Sequence, residues 1–527
     1  MSFLLKESFH TAIVDSVYND ILSRRSNYFY YIGKILPWGD EASPPSPETT
    51  FSYEAETRNK ILTTKKIQPT DVSYVVPRIN WSSGVVFDMF NPDYSLTFPA
   101  SSGATSLKRS SFYVLTDDFN VYKCLFNNNG GASTIKPTGT DSTVLSTADG
   151  YVWKFLYTIP LSLRNRFLTF EWMPVQTSVT NIFYSNGEID SVVIDSVGSG
   201  YFQSNTSISL IGDGVGANLV PFINNGELDD VVIVSRGEGY TYLDVNVVGA
   251  GSNANAFVNL SVGDLETTQS TVELSAIDGA LYAFRVNFPG ENYTYANIVV
   301  TGDGVGFAGN VVISNSNTIS YITVTNPGYG YTYANVLITG DGSNAVVTPI
   351  ISPLGGHGKN AVKELFSDTL IFYSTINNEK IHDISVNNDY RQFGLIKDIK
   401  QFSNTKTFAN VLGTSCYLIN ANTTINSLSN QLEKDTILVL ASDTSRVFEV
   451  VEVSANNRIL LTNLNNFLLT NGSVLYDQNT DSSFRVETID NYPSINKFSG
   501  DLLFIDNRTS VSYSDQQLVT LRTIITL

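Results

Sequence analysis

Hydrophobic and polar positions follow two periods along this chain. Over residues 5–24 the apolar residues Val14, Val17, Tyr18 and Ile21 recur at helical spacing. That pattern predicts a short amphipathic N-terminal helix, closed by Arg24 and Arg25, where positive charge suits a helix C-terminus. An aromatic run follows, NYFYYIGKILPW (27–38), and then a Pro-, Ser- and Glu-rich stretch, 40–60, which predicts an extended loop. From 61 to 180 the period is two, which predicts strands. DVSYVVPRINW (71–81) ends one strand, SSFYVLTDDFNVYKCLF (110–126) reads as a hairpin, and DGYVWKFLYTIP (149–160) is a strand stopped by Pro160. NNNGGASTIKPTGTDS (127–142) is a loop, and LGGHGKNAVKELFSD (354–368) runs from a glycine-rich loop into a short helix or strand. Residues 411–490 hold closely spaced short strands, TILVLAS, VFEVVEVS, RILLTNL and SVLYDQ, the spacing of a small barrel.

Between these parts one phrase is written four times. Gly-x-Gly-Tyr is followed about a dozen residues later by Gly-x-Gly: Gly198–Tyr201 leads to Gly212–Gly214, Gly237–Tyr240 to Gly249–Gly251, Gly290–Tyr293 to Gly302–Gly304, and Gly328–Tyr331 to Gly340–Gly342. Asn292 replaces the second glycine in the third copy, and an extra stretch near Leu260–Ala276 lengthens one interval. The underlying period of 38 or 39 residues is that of stacked supersecondary units. Alternation such as Ile298/Val300 and Val336/Ile338 predicts about three strands per unit across 183–352. The glycines suit turns. Each tyrosine is expected to lay its ring over the next unit with its hydroxyl in water.

The recurring Asp213, Asp303 and Asp341 raise the question of calcium, but the second unit has Ala250 at that position. The turns lack the alternating ligands and distal Glu of an EF-hand and the nine-residue period of calcium-binding β-rolls. Turn aspartates bonding their own backbone are expected instead. GDGVGA (212–217) also lacks the spacing of a nucleotide loop.

Composition narrows the choice of partner. The chain has 527 residues and a formal charge of −18, which argues for several domains and against a nucleic-acid surface. Cys124 and Cys416 stand far apart and form neither a disulfide framework nor a zinc site. No stretch reaches a membrane span, and Lys6 and Glu7 interrupt any signal-peptide core. Synthesis in a cytoplasm is expected.

Candidate chemistry is sparse. His10, His357 and His382 have no metal-ligand spacing, and no nucleophile elbow occurs. His357, in GGHGKNA beside Lys359, could serve an anion-binding loop; against that, Gly355, Gly356 and Gly358 suffice to turn the chain between modules. Asp117/Asp118 and Asp229/Asp230 are adjacent pairs at predicted bends, whereas a glycosidase needs carboxyls converging across a cleft, roughly 5–9.5 Å apart. No catalytic, cofactor or metal residue is assigned. Trp38, Arg78, Trp81, Tyr151, Trp153 and Arg508 are the candidate core or interface anchors, because buried aromatics and arginines dominate interfaces.

Five segments outside the repeats, in order, are VVPRINW (75–81), VYKCL (121–125), TADGYVWKFLYTIP (147–160), YRQFGLI (390–396) and SGDLLFIDNRTSV (499–511). Together they resemble the baseplate wedge subunit specified by gene eight in T4-like contractile-tailed bacteriophages. The matching positions include Pro77, Arg78 and Trp81; Tyr122, Cys124 and Leu125; Asp149, Gly150, Tyr151 and Trp153; Arg391 and Gln392; and Ser499, Gly500, Asn507 and Arg508. The resemblance covers 1–180, 353–410 and 491–527, about half the chain, and departs from the family pattern at Thr509, Ser510 and Val511.

The resemblance implies a non-enzymatic structural subunit without cofactors, a homodimer within each wedge. Its implied partners are the counterparts of gene products six, seven, ten, twenty-five and fifty-three, and its implied place is the tail baseplate of the virion. The fold expected is mainly β and multi-domain. A β-sandwich-like wedge core (1–182, 353–410 and 491–527) carries an inserted β-repeat module (183–352) and a small inserted β-barrel (411–490). The repeats are expected to reach a peripheral baseplate or fibre protein. Two other readings stand beside this one: a trimeric receptor- or glycan-binding tail protein with the repeats as platform, and a polysaccharide-degrading enzyme on a β-repeat scaffold.

Overall fold

A computed structural model describes residues 7–23, 25–177, 187–260, 263–376, 388–422, 432–454, 457–465, 467–480, 482–513 and 519–526. The fold is mainly β and multi-domain. Its core is built from three sheets, two of which draw strands from widely separated parts of the chain and one of which is local. In the first, the order is Leu412–Thr414, Ile61–Lys66, Tyr28–Gly33, Asn388–Lys397, Asp501–Tyr513. In the second it is Val519–Thr526, Thr369–Ile376, Val72–Pro77, Trp172–Val175. In the third it is Tyr113–Leu115, Asn120–Asn127, Tyr151–Thr158, Val144–Ser146.

The aromatic run explains why the first sheet is central. All six residues of Tyr28–Gly33 are buried, so this strand reads as a continuous apolar run rather than an alternating one. Its Tyr28 and Tyr30 join Tyr74, Val76, Leu370 and Phe372 of the second sheet and Tyr113 and Tyr157 of the third in one cluster. The N-terminal helix, Glu7–Leu22, buries Val14 and Ile21 in that cluster. Tyr74 donates its hydroxyl to Asp15 at 2.7 Å, and Tyr28 donates to Asp20 at 2.8 Å. The helix stops at Leu22, so Arg25 lies beyond its last turn.

Residues 40–60 are not one extended loop. Phe51–Lys60 is a helix, started by the Thr50 hydroxyl accepting from the Tyr53 amide at 3.2 Å. A further short helix, Leu161–Phe167, follows Pro160. Both lack a long apolar stripe, and tertiary contacts hold them.

The four repeats contribute three strands each, but like units do not simply stack. They close in pairs. In the first pair Ser207–Gly212 runs antiparallel to Leu243–Val248, Val215–Asn224 to Glu227–Glu238, and Ile189–Ser199 to Ser252–Leu260. The second pair repeats this with Ala296–Gly302 against Ala334–Gly340, Val305–Ile313 against Ile319–Tyr329, and Leu281–Glu291 against Ser343–Ile351. Each pair therefore forms a body with its own core, and in the first pair Leu243–Val248 also pairs with Ser252–Leu260, joining two of the ladders in one four-stranded sheet.

The repeated phrase now has a physical reason. The tyrosine of one unit lies on the Gly-x-Gly turn of its pair mate. A Cβ at Gly214 would sit 2.5 Å from the Tyr240 ring, and one at Gly342 2.5 Å from the Tyr293 ring. Tyr201, Tyr240, Tyr293 and Tyr331 are all buried. Their hydroxyls are not simply wet: Tyr201 and Tyr240 accept backbone N–H groups of Ala254 and Ala217 at 3.3 Å.

The aspartates bond across the pair as well. Asp213, Asp303 and Asp341 each accept the amide of a threonine in the mate, Thr241, Thr332 and Thr294, at 2.8–2.9 Å, and the threonine hydroxyl too. Where Ala250 replaces the aspartate, Phe202 stands in the mate where the other copies have threonine.

Between the two bodies, helix Gly263–Leu274 returns to the core, and its Val272 packs among Phe87, Cys124, Tyr151 and Trp153. Ala283 and Ile350, at the base of the second body, belong to the main core cluster. The repeat module thus shares apolar contacts with the sheets beneath it. Farther along, strands from Cys416–Ala421 to Ser482–Asn491 close a six-stranded barrel around Tyr417, Phe448, Leu461 and Phe484.

Candidate functional site: an interaction surface on the core

The segments that carry the resemblance converge in two places. The first lies on the open-edge strand Asp501–Tyr513. Its pairing with Asn388–Lys397 slips between Tyr390 and Gln392, which leaves residues 508–510 opposite Arg391 alone. This is a bulge, and it falls at Thr509 and Ser510, where the sequence departs from the segment it resembles.

Four side chains fill and strap the bulge. Trp38 donates its indole N–H to the Arg508 carbonyl oxygen at 2.7 Å. Arg391, itself buried, donates to the Glu41 carboxylate at 2.6 Å and to the Ile35 carbonyl at 2.6 Å. Gln392 donates to the Asn507 side-chain oxygen at 2.9 Å, and Asn507 donates to the Pro45 carbonyl at 2.7 Å. Desolvation would raise the Glu41 carboxyl, but the Arg391 hydrogen bond and the amides of Trp38 and Ser510 hold it below the usual carboxylate range. Lys34 lies over the Trp38 ring, 4.2 Å from its centroid. Arg508 itself is exposed and pairs with Asp506. Arg58, on the unforeseen helix Phe51–Lys60, donates to the carbonyls of Ser499 and Gly500 at 2.8 and 2.7 Å and so fixes the turn that starts the strand.

The second convergence is a core. Tyr151 and Trp153 are fully buried and stacked at 5.3 Å with a 15° interplanar angle. Tyr151 donates to the Gly131 carbonyl at 2.6 Å. Trp81, half-buried, donates to the Ser133 hydroxyl at 3.1 Å, and Asp149 accepts from the amides of Thr134 and Ile135 at 2.8 and 2.9 Å. Desolvation opposes ionisation of Asp149, yet Thr147 and these amides hold its pKa below the ordinary value. Arg78 donates to the Thr169 carbonyl at 3.0 Å and to Asn80 at 2.9 Å. Of the six anchors, then, Tyr151 and Trp153 pack the chain's own core. Trp81 and Arg78 brace loops at its margin. Trp38 and Arg508 stand together at the surface.

A buried charged cluster lies in this core, with the Tyr282 ring of the repeat module against its histidine. Lys123 and Glu364 are buried and paired at 2.9 Å, with the Lys123 ammonium 3.8 Å from the Phe90 ring centroid. The amides of Gly358 and Asn360 donate to the other Glu364 oxygen at 2.7 and 3.2 Å. Burial pushes the Lys123 ammonium below its ordinary value against the pull of Glu364. Burial would raise Glu364, but Lys123 and His357 hold it down to about 2. His357 sits between Phe90 and Tyr282 and 3.9 Å from Glu364. Burial and the Lys123 charge push its pKa down to about 4. The glycine loop does turn the chain here, with Gly355, Gly356 and Gly358 all at positive φ, and it buries its histidine while doing so.

The remaining candidates are dispersed. Asp117 and Asp118 both accept from Lys136 at 2.7 and 2.9 Å, and Asp229 and Asp230 lie on a repeat strand. His10 is on the N-terminal helix. His382 lies outside the described residues. Among the described residues no group of three His, Cys, Asp or Glu could hold a metal, and no helix is long and apolar enough to cross a membrane. Compared with known proteins, the chain matches no family model and no curated protein sequence.

Proposed function

We propose that this chain is a structural subunit of a contractile phage-tail baseplate wedge, working as a homodimer that links other wedge proteins and holds the baseplate for sheath contraction and infection. The observation that carries the reading is the convergence on the bulged edge strand. Residues from the last two resemblance segments, Arg391, Gln392, Asn507 and Arg508, meet there with Trp38 although up to 470 positions separate them. Such a set is held in place by mutual hydrogen bonds, and it presents an aromatic ring and an arginine to the surface, the residue types that anchor interfaces. In this reading the paired repeat bodies are an outward projection toward a peripheral baseplate or fibre protein.

Co-assembly tests it. The purified chain is mixed with the other wedge proteins of its phage and the complex is followed by sedimentation. Incorporation that fails in Trp38→Ala and Arg508→Ala variants, with their folding intact, supports the reading. A wild-type chain that does not enter the wedge sinks it. A trimer that binds host polysaccharide establishes the receptor-binding alternative, for which the exposed Tyr242, Tyr295 and Tyr333 of the repeats supply stacking surfaces.

A further inference from the structure

Sheet edges in this core are protected, with one exception. Natural proteins blunt edges with short strands, bulges and covering segments. Leu412–Thr414, Trp172–Val175, Tyr113–Leu115 and Val144–Ser146 are edge strands of three or four residues. Asp501–Tyr513 is long but bulged at 508–510 and strapped by Trp38. Val519–Thr526 is different. It pairs along all eight residues with Thr369–Ile376 in unbroken register, and among the described residues no strand or strap lies on its other side.

The sequence of this strand, VTLRTIIT, has no proline, no glycine and no acidic residue in a chain of net charge −18. Its one charge is already occupied: Arg522 donates to the carbonyls of Arg166 and Asn165 at 2.8 and 3.1 Å. We propose that Val519–Thr526 is the homodimer interface, pairing antiparallel with the same strand of a second copy so that two four-stranded sheets become one of eight strands. The proposal rests on the dimer reading above and adds the surface.

Geometry also selects the register. A two-fold axis normal to the sheet keeps each face on its own side, so opposed residues must have the same parity. A pairing centred on Arg522 would set two arginines directly opposite. Centred on Thr523, threonine meets threonine and apolar meets apolar at most positions: Thr520 faces Thr526, Leu521 faces Ile525 and Thr523 faces itself, while Arg522 faces Ile524. Threonine and apolar pairs of this kind stabilise cross-strand contacts. A second copy is also the occupant that fits the charge. Two strongly acidic molecules approach here along a strip that carries no carboxylate, so added salt strengthens the pairing by screening the remaining repulsion.

Two double variants of the full chain test this by analytical ultracentrifugation and non-reducing electrophoresis. Thr520→Lys with Thr526→Lys, both exposed positions, brings lysines face to face and is expected to weaken dimerisation at least tenfold; the monomer should stay folded by circular dichroism, with a modest fall in melting temperature from the lost Thr526–Thr369 hydroxyl contact and the lost dimer. Thr520→Cys with Thr526→Cys is expected to give a covalent dimer on mild oxidation, because directly opposed Cα atoms lie roughly 4.5–5.5 Å apart, within disulfide reach. The native Cys124 and Cys416 are buried and contribute no cross-link. Thr520→Cys with Arg522→Cys, opposed only in the register centred on Leu521, should stay uncross-linked. A dimer that survives the lysine pair overturns the strand assignment and leaves the wedge reading to its co-assembly test. A monomeric or trimeric wild-type chain overturns the assignment outright.

Discussion

The indole of Trp38 donates its hydrogen to the main-chain carbonyl of Arg508 at 2.7 Å, joining the end of the first core strand's loop to a bulge on the last strand of the first sheet. A side chain here does what a neighbouring strand would do elsewhere: it satisfies a carbonyl that the bulge has released from the ladder. Replacing Trp38 by Phe keeps most of the ring and removes the donor. The expected cost is about 1 kcal/mol of stability, read as a lowered midpoint in urea, together with faster amide exchange at 508–510. Unchanged exchange there would show that the strap does not hold the edge.

The Lys123–Glu364 pair is an ion pair without solvent. Lys123→Met strands a buried carboxylate that two amides still address, and breaking a buried pair in this way costs about 3–5 kcal/mol. The double variant Lys123→Met with Glu364→Gln removes both charges and keeps an acceptor for Gly358 and Asn360. It is expected to be more stable than the single variant. Chemical denaturation of the three proteins decides the matter, and equal losses would mean that the carboxylate is relieved by other means.

How much of this was legible in the sequence depends on which forces wrote each element. The barrel and the hairpin around Asp117 and Asp118 were legible because alternation tracks burial directly. Helix Phe51–Lys60 was not, since Thr57 is its one buried residue and no apolar stripe betrays it. Its signals were the Thr50 cap, Glu54 near the start and Arg58 and Lys60 at the end, easily lost in a Pro- and Ser-rich stretch. The repeat period was plain, but a period does not say whether like units stack or pair. The joint absence of the Asp at Ala250 and the Thr at Phe202 was the clue to pairing. Lys123 stood out only as a lysine amid VYKCLF, and its partner lies 241 residues away, beyond any spacing rule. The edge strap was hidden for the same reason: the two ends of the bond between Trp38 and Arg508 are almost the length of the chain apart.

His357 gives the fold a proton-linked step. Its folded pKa, near 4, lies below the ordinary 6.5, so the unfolded chain binds the extra proton between those values. Stability contributed by the neutral imidazole is fully present above pH about 6.5 and is lost as pH falls toward about 4. Lys123 and Lys154 oppose protonation, and Glu364 favours it. Stability measured from pH 7 to 4 should fall more steeply for the wild type than for His357→Gln. Parallel curves would mean that the imidazole protonates freely in place.

The aspartate clamps titrate lower. Asp213, Asp303 and Asp341 are held down to about 2 by the threonine hydroxyl and amides of the mate, against a small desolvation. Depressed carboxylates contribute stability above their unfolded pKa of 3.8, and that contribution is lost as pH falls through about 2. Asp303→Asn with Asp341→Asn should flatten the acid limb of the melting-temperature profile. Calcium and EDTA should leave melting unchanged, because these carboxylates already have protein donors. A calcium-dependent rise would reverse this view of the turns.

The paired architecture also decides which deletion the core tolerates. Removing 183–352 entire takes away Val272, Ala283 and Ile350, which complete core clusters beneath the repeats. Val272 and Ile350 at roughly 1.5–3 kcal/mol each and the Ala283 methyl at about 0.8 kcal/mol together approach the lower end of an ordinary domain's stability. That deletion should therefore yield a poorly folded chain. Glu291 and Ser343, however, are direct partners in one ladder, and a two-residue turn can join them. Excising 292–342 and closing the gap with Asn-Gly removes four strands of the second body, including Ile319–Tyr329 whose Tyr321 ring lies against Phe126 of the core, and keeps its base. This shorter protein should retain the cooperative melting of the core and still dimerise, while losing any contact made by the tip. If it unfolds as badly as the full deletion, the outer strands are needed by the core as well, and the projection is not separable from the subunit that carries it.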